Sequence, residues 1–338
     1  MPSTLKTRTL GRTGPTVSSL GLGAMGMSDF YGPANEDESV LTLEAAIDQG
    51  IRLIDTGDFY GSGHNELLVR QALRGRARDG VVLSVKFGAL RDPRGAFTGY
   101  DLRPASIKNF LAYSLKRLGT DHVDIYRPAR MPPGTNVEEV IGTLASLVKA
   151  GHVRHIGLSE VGAETLRRAA AVHPIVDLQI EYSLVSRGIE RDILPTAREL
   201  GIGITAYGVL SRGLISGHWT PDRPLSRGDF RSFSPRFRGD NLQRNLGLVD
   251  ALREVARRKG ISVAQAAIAW VLSRGEDVVP LIGARTRERL AEALGALEVT
   301  LTADDLAEVE RAVPHEAVAG TRYPEPAMAD LDSERRRG

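Results

Sequence analysis

Three polar residues near the ends of predicted strands have side chains suited to acid–base chemistry. Asp55 ends a short apolar strand, Tyr60 follows it in a polar loop, and Lys86 lies near the end of the next apolar strand. Burying an unpaired ammonium costs several kcal/mol, so Lys86 needs a counter-ion, and Asp55 on the neighbouring strand can supply it. A phenol beside an ammonium is expected to have its pKa lowered below about 10, towards values useful for proton transfer. The sequence therefore predicts that Asp55 holds Lys86 and that Lys86 lowers the pKa of Tyr60.

Two other interpretations of these residues stay open at this point. Lys86 and Asp55 could form an ion pair with a structural role only. Lys86 could instead be the Schiff-base nucleophile of a non-redox enzyme, but a neighbouring carboxylate keeps a lysine charged, which is the wrong state for attack. The presence of three such groups at the ends of successive elements favours a catalytic role.

The elements that must position these residues alternate regularly along the chain. Short, nearly continuous apolar runs are separated by longer amphipathic segments, and glycine follows several predicted helices, as at Gly119 and Gly201. Apolar strands separated by helices are typical of a parallel sheet covered on its outer face. Eight such units in about 300 residues favour an α/β fold of the (β/α)8 or TIM barrel class, whose active sites lie where the strands end.

The predicted elements form one domain that spans residues 1–338. The predicted barrel strands are residues 17–21, 51–56, 81–87, 122–126, 154–158, 175–180, 202–207 and 278–282. Residues 6–10 and 15–19 are expected to form an N-terminal β-hairpin that closes the barrel floor. Residues 216–245 form a long loop after strand seven, which is either functional or disordered. The polar segment from about residue 324 to residue 338 is expected to be a mobile tail.

Composition excludes several classes of function. The net charge is +2, from 44 basic and 42 acidic residues, so no nucleic-acid or membrane partner is expected. The absence of cysteine excludes disulfides, thiolate nucleophiles and Cys-ligated metal sites, and the seven histidines lack metal-binding spacing, so no metal is predicted. No secretory signal or transmembrane stretch is visible, and a cytoplasmic location is expected. Nothing in the sequence indicates the oligomeric state.

Four stretches of the sequence resemble the aldo-keto reductase family. They are residues 51–66 (IRLIDTGDFYGSGHNE), 81–88 (VVLSVKFG), 153–182 and 280–290 (PLIGARTRERL), and the resemblance extends over about residues 10–312. The Asp-Thr-x-Asp-x-Tyr-Gly and Lys-Phe-Gly elements are specific when they occur together. The branch resembled is the general bacterial one, related to the potassium-channel beta subunits. The resemblance implies reduction of a small-molecule carbonyl substrate by hydride transfer, with Tyr60 as proton donor supported by Lys86 and Asp55.

The resemblance also implies a nicotinamide cofactor and residues that hold it. Ser159 and Gln179 would bind the carboxamide, and Tyr207 would stack on the nicotinamide ring. Residues 210–213 (LSRG) offer backbone N–H groups for the phosphates. Arg285 would bind the adenosine 2′-phosphate, which favours NADPH (NADP) over NAD. The predicted cofactor-binding residues are Gly23, Met25, Ser159, Gln179, Tyr207, Leu210, Ser211, Gly213, Gly283, Arg285, Arg289 and Glu292.

Three positions depart from the family pattern. Ala129 stands where the family has a histidine that orients the carbonyl, and Glu160 and Ala293 each stand where it has an asparagine. The loss of the histidine leaves two possibilities open. Either Tyr60 and Lys86 suffice to reduce a ketone or aldehyde, with water or Arg127 orienting the oxygen, or the enzyme is weak on ordinary aldehydes and prefers particular substrates. The competing function is a cofactor-binding regulatory module with weak or vestigial reductase activity, whereas the enzyme would reduce aldehydes, ketones or quinones.

Overall fold

A computed structural model describes residues 5–28, 30–226 and 228–335 of the chain. The strands are β1 (Thr7–Thr9), β2 (Thr16–Ser18), β3 (Gly21–Gly23), β4 (Leu53–Gly57), β5 (Val82–Phe87), β6 (Ala89–Arg91), β7 (Phe97–Tyr100), β8 (Val123–Pro128), β9 (Val153–Ser159), β10 (Ile175–Glu181), β11 (Gly203–Tyr207) and β12 (Val278–Ile282). Eight of them form a closed parallel barrel in the ring order β3-β4-β5-β8-β9-β10-β11-β12. The predicted (β/α)8 barrel is therefore confirmed.

Helices cover the outside of the barrel. They are α1 (Glu36–Asp48), α2 (His64–Ala72), α3 (Pro104–Leu118), α4 (Val137–Lys149), α5 (Ala163–Val172), α6 (Ile193–Leu200), α7 (Gly239–Arg258), α8 (Val263–Leu272), α9 (Arg287–Leu294), α10 (Ala303–Ala312) and α11 (Glu325–Ala329). Local sequence sets several of their ends: the Asn136 side chain accepts a hydrogen bond from the backbone of Glu139 at the start of α4, and α3 ends at Gly119 in the left-handed conformation. No helix of the described residues is long and apolar enough to cross a bilayer.

The first barrel strand is the one that the sequence analysis misplaced. Residues 16–18 form β2, which pairs antiparallel with β1 in the expected N-terminal hairpin, and the barrel strand β3 begins only at Gly21. A Cβ atom at Gly21 would lie 2.9 Å from the Leu53 side chain, so the neighbouring strand leaves no room for a side chain there. A strand with glycine at both ends carries little apolar signal, which is why the boundary was wrong.

The barrel interior is apolar at its floor. Leu10 and Val17, which flank the turn of the β1–β2 hairpin, are fully buried there. They pack in one cluster with side chains from the barrel strands: Leu53, Val82, Ile125, Val176, Val279 and Leu281. Because side chains of a strand alternate between its two faces, every second residue above this floor also points into the barrel.

Above the floor the interior is charged. Arg127 on β8 forms an ion pair with Asp177 on β10 at 3.0 Å, and both side chains are completely buried. Thr205 donates a hydrogen bond of 2.5 Å to the same carboxylate. A Cβ atom at Gly157 on the intervening strand β9 would lie 2.4 Å from the Asp177 Oδ1 atom, so glycine is required for the pair to meet across that strand.

Two segments outside the barrel repeat are more ordered than their composition suggested. In the segment 216–245, interpreted as functional or disordered, the described residues 216–226 and 228–245 include short 3-10 turns and the start of α7. The segment from Gly320 to Arg335 contains α11, buries Leu331, and uses the Asp332 side chain to accept a hydrogen bond of 2.8 Å from the Gly162 N–H. Up to Arg335 the tail is therefore packed on the barrel, in contrast to the expected mobile tail, and residues 336–338 lie outside the described residues.

The Arg127–Asp177 pair generates a prediction about stability. Arg127→Leu leaves a buried carboxylate without its cation, and burial already raises the pKa of Asp177. We expect a loss of about 3–5 kcal/mol in the free energy of unfolding at pH 7, measured by urea denaturation. Arg127→Leu with Asp177→Asn should recover most of it. Arg168→Leu, at an exposed pair with Glu138, should change little. An equal loss of stability in Arg127→Leu and Arg168→Leu would contradict the expected difference between the buried and the exposed ion pair.

Candidate active site

The predicted pair of Lys86 and Asp55 is present at the upper end of the barrel interior. The Lys86 ammonium forms an ion pair with Asp55 Oδ1 and donates a second hydrogen bond of 2.9 Å to Gln179 Oε1. Asp55 Oδ2 accepts hydrogen bonds from Ser84 at 2.7 Å and from Gln179 Nε2 at 2.8 Å. Lys86 and Asp55 are 4% and 2% exposed. The carboxylate and the ammonium are therefore paired and held in fixed orientations.

Tyr60 lies beside this pair. It opens the turn after β4, and its ring centroid is 5.3 Å from the Lys86 Nζ atom. The three residues that follow it, Gly61 to Gly63, all have positive φ angles, including Ser62 at 54°, a conformation that non-glycine residues seldom adopt. Such strain is often found at functional sites. The edge of the Phe59 ring packs on Tyr60 with centroids 4.7 Å apart, and Tyr60 is 5% exposed.

The prediction that Lys86 lowers the pKa of Tyr60 is wrong in direction. Burial raises the pKa of Tyr60 well above its usual value, the Asp55 charge raises it further, and the Arg130 charge only partly offsets them. Burial likewise lowers the pKa of Lys86 to about 8, although the Asp55 charge opposes that shift. At neutral pH the phenol is therefore protonated and the ammonium is mostly charged.

Ser159 and Gln179, the residues assigned to a carboxamide, lie at the end of β9 and two residues before the end of the neighbouring strand β10. The Ser159 hydroxyl is buried and has no hydrogen-bond partner among the residues that the structure describes. Gln179 uses its side chain to bridge Lys86 and Asp55. An unpartnered buried hydroxyl next to this network can receive a polar group of a ligand.

The loop after β11 has a backbone suited to binding an anion. Ser211, Arg212 and Gly213, which follow Leu210, have φ angles of 46°, 58° and 94°, so consecutive peptides are left-handed. A Cβ atom at Gly213 would meet nothing within 4 Å, and the Nη1 atom of Arg212 is a buried donor without a partner among the described residues. The N–H groups of Ser211 and Gly213 already donate to the carbonyl oxygens of Gly208 and Leu210, so a donor that remains for an anion such as phosphate is Arg212 Nη1.

The guanidinium of Arg285 does not point at open solvent as a free phosphate ligand would. It donates hydrogen bonds to the backbone oxygens of Tyr31 at 3.0 Å and of Pro33. Arg287, two residues further along the chain, is instead paired with Glu38 at 3.0 Å. None of the hydrogen-bond partners of Arg285 is a carboxylate, so its positive charge is not neutralised by them. The charge of Arg287 is neutralised by Glu38.

Two arginines near Arg285 were missed by the sequence analysis. Arg231 lies over the rings of Tyr31 and Trp219 at 5.0 and 5.2 Å, and Arg223 lies over Trp219 at 5.1 Å. Burial lowers the pKa of Arg285, and the charges of Arg231 and Arg223 lower it further, while the Asp229 carboxylate, paired with Arg231 at 2.5 Å, opposes them. The three cations are therefore close together and share one acid. Arg223 and Arg231 belong to the arginine-rich segment 216–245, and that composition was the available signal.

The other predicted cofactor residues surround this region. Glu292 accepts hydrogen bonds from His218 at 2.8 Å and from Arg289 at 3.1 Å. A cavity of about 280 Å³ opens beside Glu292 and His218, against α7 and α8. Gly23 ends β3 and Met25 follows it, and Gly283 follows β12 with open space where a Cβ atom would lie.

Tyr207 ends β11 and is tied to the C-terminal segment. Its hydroxyl donates a hydrogen bond of 2.8 Å to Glu160 Oε1 and lies 2.9 Å from the Tyr323 hydroxyl. Arg322 binds both oxygens of Glu160, at 3.0 and 2.8 Å, and Ser333 donates to the same carboxylate at 2.7 Å. Glu160, with a φ angle of 53°, is fully buried. The substitution of asparagine by glutamate is thus balanced by an arginine 162 residues away.

Arg127 cannot orient a substrate oxygen, as the sequence analysis had allowed. Its guanidinium is completely buried below Lys86, where it is occupied by Asp177 and by a hydrogen bond to Ser84. Ala129 follows β8 and is nearly buried. In the described part of the chain, no group of three or more His, Asp or Glu side chains could hold a metal ion.

Comparisons with known proteins agree with this geometry. Residues 19–314 match the family model described as the aldo/keto reductase family. The chain is 39% identical over 320 residues to a probable aldo-keto reductase from Glycine max, covering 93% of this chain and 90% of that protein. A glycerol dehydrogenase from Gluconobacter oxydans superposes with a TM-score of 0.82 at 30% identity, covering 90% and 94% of the two chains. An aldo-keto reductase from Bacillus halodurans does so with a TM-score of 0.75 at 27% identity, covering 92% and 97%.

The Glu160–Arg322 contact generates a prediction with a defined pH dependence. Burial would raise the pKa of Glu160, but Arg322 outweighs it and holds that pKa well below its usual value. The folded chain therefore gains stability above the pKa of an unfolded glutamate and loses it as the pH falls. Without Arg322, burial prevails, and the charged carboxylate costs stability until acid neutralises it.

We expect Arg322→Ala to lower the free energy of unfolding by about 3–5 kcal/mol at pH 7 and by much less near pH 4, measured by urea denaturation at both pH values. Glu160→Gln in the Arg322→Ala background should recover most of the loss at pH 7, since it removes the unpaired charge. A loss that is independent of pH, or that Glu160→Gln leaves unchanged, would show that Arg322 contributes packing alone.

Proposed function

Because the chain belongs to the aldo-keto reductase family, we propose that it reduces aldehydes, ketones or quinones to alcohols with NADPH as the hydride donor. Family membership makes it an oxidoreductase, and the choice of cofactor and the roles of individual residues are part of the proposal. The observation that carries the proposal is the buried Lys86–Asp55 pair under the ring of Tyr60.

Tyr60 is the proposed general acid. Burial keeps its phenol protonated at neutral pH, so a proton is available for the carbonyl oxygen. When that proton leaves, the phenolate forms beside the charged ammonium of Lys86, which stabilises it. Asp55 and Gln179 hold the ammonium in place through hydrogen bonds. The same contacts speak against Lys86 as a Schiff-base nucleophile, because the amine stays mostly charged with a pKa of about 8.

The residues around the barrel mouth fit a nicotinamide dinucleotide. NADPH, when bound, supplies the hydride for the carbonyl carbon. The unpartnered hydroxyl of Ser159 can donate a hydrogen bond to the carboxamide or accept one from it. Tyr207 at the end of β11 offers a ring face on which the nicotinamide can stack. The left-handed peptides at Ser211 to Gly213 and the free donor of Arg212 suit the phosphates.

The preference for NADPH rests on the three arginines Arg223, Arg231 and Arg285. Asp229 pairs with Arg231 and offsets one of these charges, so Arg223 and Arg285 are the two cations that a bound phosphate dianion would balance. NADH lacks the 2′-phosphate and would leave the cluster without this partner. The cavity lined by His218 and Glu292 lies on the same side and can take the adenine.

The role of Tyr60 is tested by Tyr60→Phe, which removes only the hydroxyl. We expect kcat for 4-nitrobenzaldehyde and 9,10-phenanthrenequinone to fall by about 10²-fold or more, followed as NADPH oxidation at 340 nm. NADPH binding, followed by fluorescence titration, should change little. Unchanged turnover would dismiss Tyr60 as the acid. Tight NADPH binding by the unsubstituted chain with no turnover of any carbonyl would instead favour a regulatory module.

The choice of cofactor is tested by Arg285→Ala against a matched control. A charge-assisted hydrogen bond to phosphate corresponds to about a 10- to 100-fold change in affinity, so the Kd for NADPH should rise by that factor while that for NADH stays nearly constant. Arg287→Ala, two residues along and already paired with Glu38, should leave both constants near their original values. Equal losses for the two cofactors in Arg285→Ala would refute the phosphate contact.

A further inference from the structure

Arg130 is a cation at the barrel mouth that the proposed mechanism does not use. It lies two residues beyond the end of β8, the strand between β5, which carries Lys86, and β9, which carries Ser159. Its guanidinium donates hydrogen bonds to the Ala129 carbonyl oxygen at 2.7 Å and to the Tyr323 hydroxyl at 3.3 Å. The residue is only partly buried, so part of the fork of donors is open to a ligand.

Arg130 forms no ion pair, unlike the three arginines that contact Glu160 and Glu181. Arg322 is paired with Glu160 and with Glu334, each at 2.8 Å. Arg236 and Arg212 are paired with Glu181 at 3.2 and 3.4 Å, so three carboxylates balance these three arginines. Within residues 5–28, 30–226 and 228–335, no carboxylate lies within ion-pair distance of Arg130.

Phenols surround Arg130 instead of acids, and they do not neutralise it. Burial raises the pKa of Tyr100 and of Tyr207, so both are uncharged at neutral pH. Burial alone would lower the pKa of Arg130, but its neighbours, of which Glu160 is charged at neutral pH, raise it overall, so the guanidinium stays protonated. One positive charge is therefore left over, and a partly buried charge of this kind favours an anionic partner.

The position of Arg130 separates it from the groups proposed to hold the cofactor phosphates. Those groups follow β11 and β12, and β12 is four strands from β8 in the ring of eight, which is the opposite side of the mouth. Arg130 is within electrostatic reach of the reacting groups, because its charge offsets part of the burial effect on the pKa of Tyr60. An anion that meets Arg130 is therefore on the substrate side.

We propose that Arg130 binds a carboxylate carried by the carbonyl substrate, so that the enzyme prefers aldehydes or ketones that are also acids. This inference deepens the proposed function and rests on it. A carboxylate balances one unpaired positive charge and matches the planar fork of a guanidinium, whereas a phosphate dianion would leave a negative charge in excess. Ala129 beside it carries no polar group, so recognition at the end of β8 depends on Arg130.

The test compares matched substrates in the full-length enzyme with NADPH. The charged set is 2-, 3- and 4-carboxybenzaldehyde, which vary the spacing between carboxylate and carbonyl, and the neutral set is their methyl esters. We expect at least one acid to exceed its ester in kcat/KM by about 10- to 100-fold. Arg130→Gln should abolish that preference by lowering kcat/KM for the acids about 10- to 100-fold more than for the esters. Arg130→Lys should keep part of the preference, because it retains the charge but loses the fork.

Arg168→Gln, at an exposed arginine remote in sequence from the site, is the control for general loss of positive charge and should keep the preference. Equal losses on acids and esters in Arg130→Gln would overturn the proposal, because Arg130 would then act on the carbonyl oxygen itself. The absence of any preference in the unsubstituted enzyme would overturn it as well, with the reductase function intact.

A binding measurement separates this inference from the proposed function. Benzoate should bind the NADPH complex of the unsubstituted chain, detected by fluorescence quenching, and should bind Arg130→Gln at least about tenfold more weakly. If Arg130→Gln weakens benzoate binding but the unsubstituted chain reduces no carbonyl, the carboxylate site is supported and the reductase function is rejected. Equal benzoate binding by both chains would reject the site. Matching thermal midpoints of the variants would exclude misfolding as the cause.

Discussion

Charged groups inside the barrel must be paired, and this constraint organises the upper half of the molecule. An unpaired ammonium buried there would be deprotonated or would move to solvent, so Lys86 requires Asp55 as its counter-ion. The second carboxylate oxygen of Asp55 in turn needs hydrogen-bond donors, which Ser84 and Gln179 provide. The Arg127–Asp177 pair repeats the arrangement one layer lower and needs Gly157 to make room. The floor carries no such requirement and is filled by aliphatic side chains and the N-terminal hairpin.

This arrangement was visible in the sequence only where charge interrupts an apolar strand. Lys86 within an apolar run, and Asp55 at the end of the preceding one, predicted the pair, and parallel strands bring their ends together whatever the loops do. The strand β3 was misplaced because its glycines carry no apolar pattern. The packing of the tail was missed because its polar composition resembles that of a free segment, while its partners Glu160 and Gly162 are distant in sequence.

Sequence spacing also predicts which groups are neighbours, but it does not predict how deeply those groups are buried from solvent. For Tyr60 the nearness of Lys86 was predicted correctly, but burial has the larger effect on the pKa and the opposite sign. The raised pKa suits the proposed role of Tyr60 as general acid better than a lowered pKa would. A phenol with a lowered pKa would be partly ionised before a substrate arrived, whereas in the proposed mechanism the buried phenol keeps its proton until negative charge develops on the carbonyl oxygen.

The departures at positions 129 and 160 change the charge of the mouth together. Asparagine in place of Glu160 would be neutral and would need no partner, so the glutamate makes the site depend on Arg322 and thereby on the C-terminal segment. The acids Glu160 and Glu181 occupy three arginines between them, while Ala129 contributes nothing polar beside Arg130. Because charges already paired within the protein attract a ligand weakly, the proposed selectivity for substrate charge rests on Arg130, which forms no ion pair among the described residues. The family pattern has a neutral or titratable ring at the neighbouring position 129, so this chain would recognise a charged substrate through a guanidinium instead.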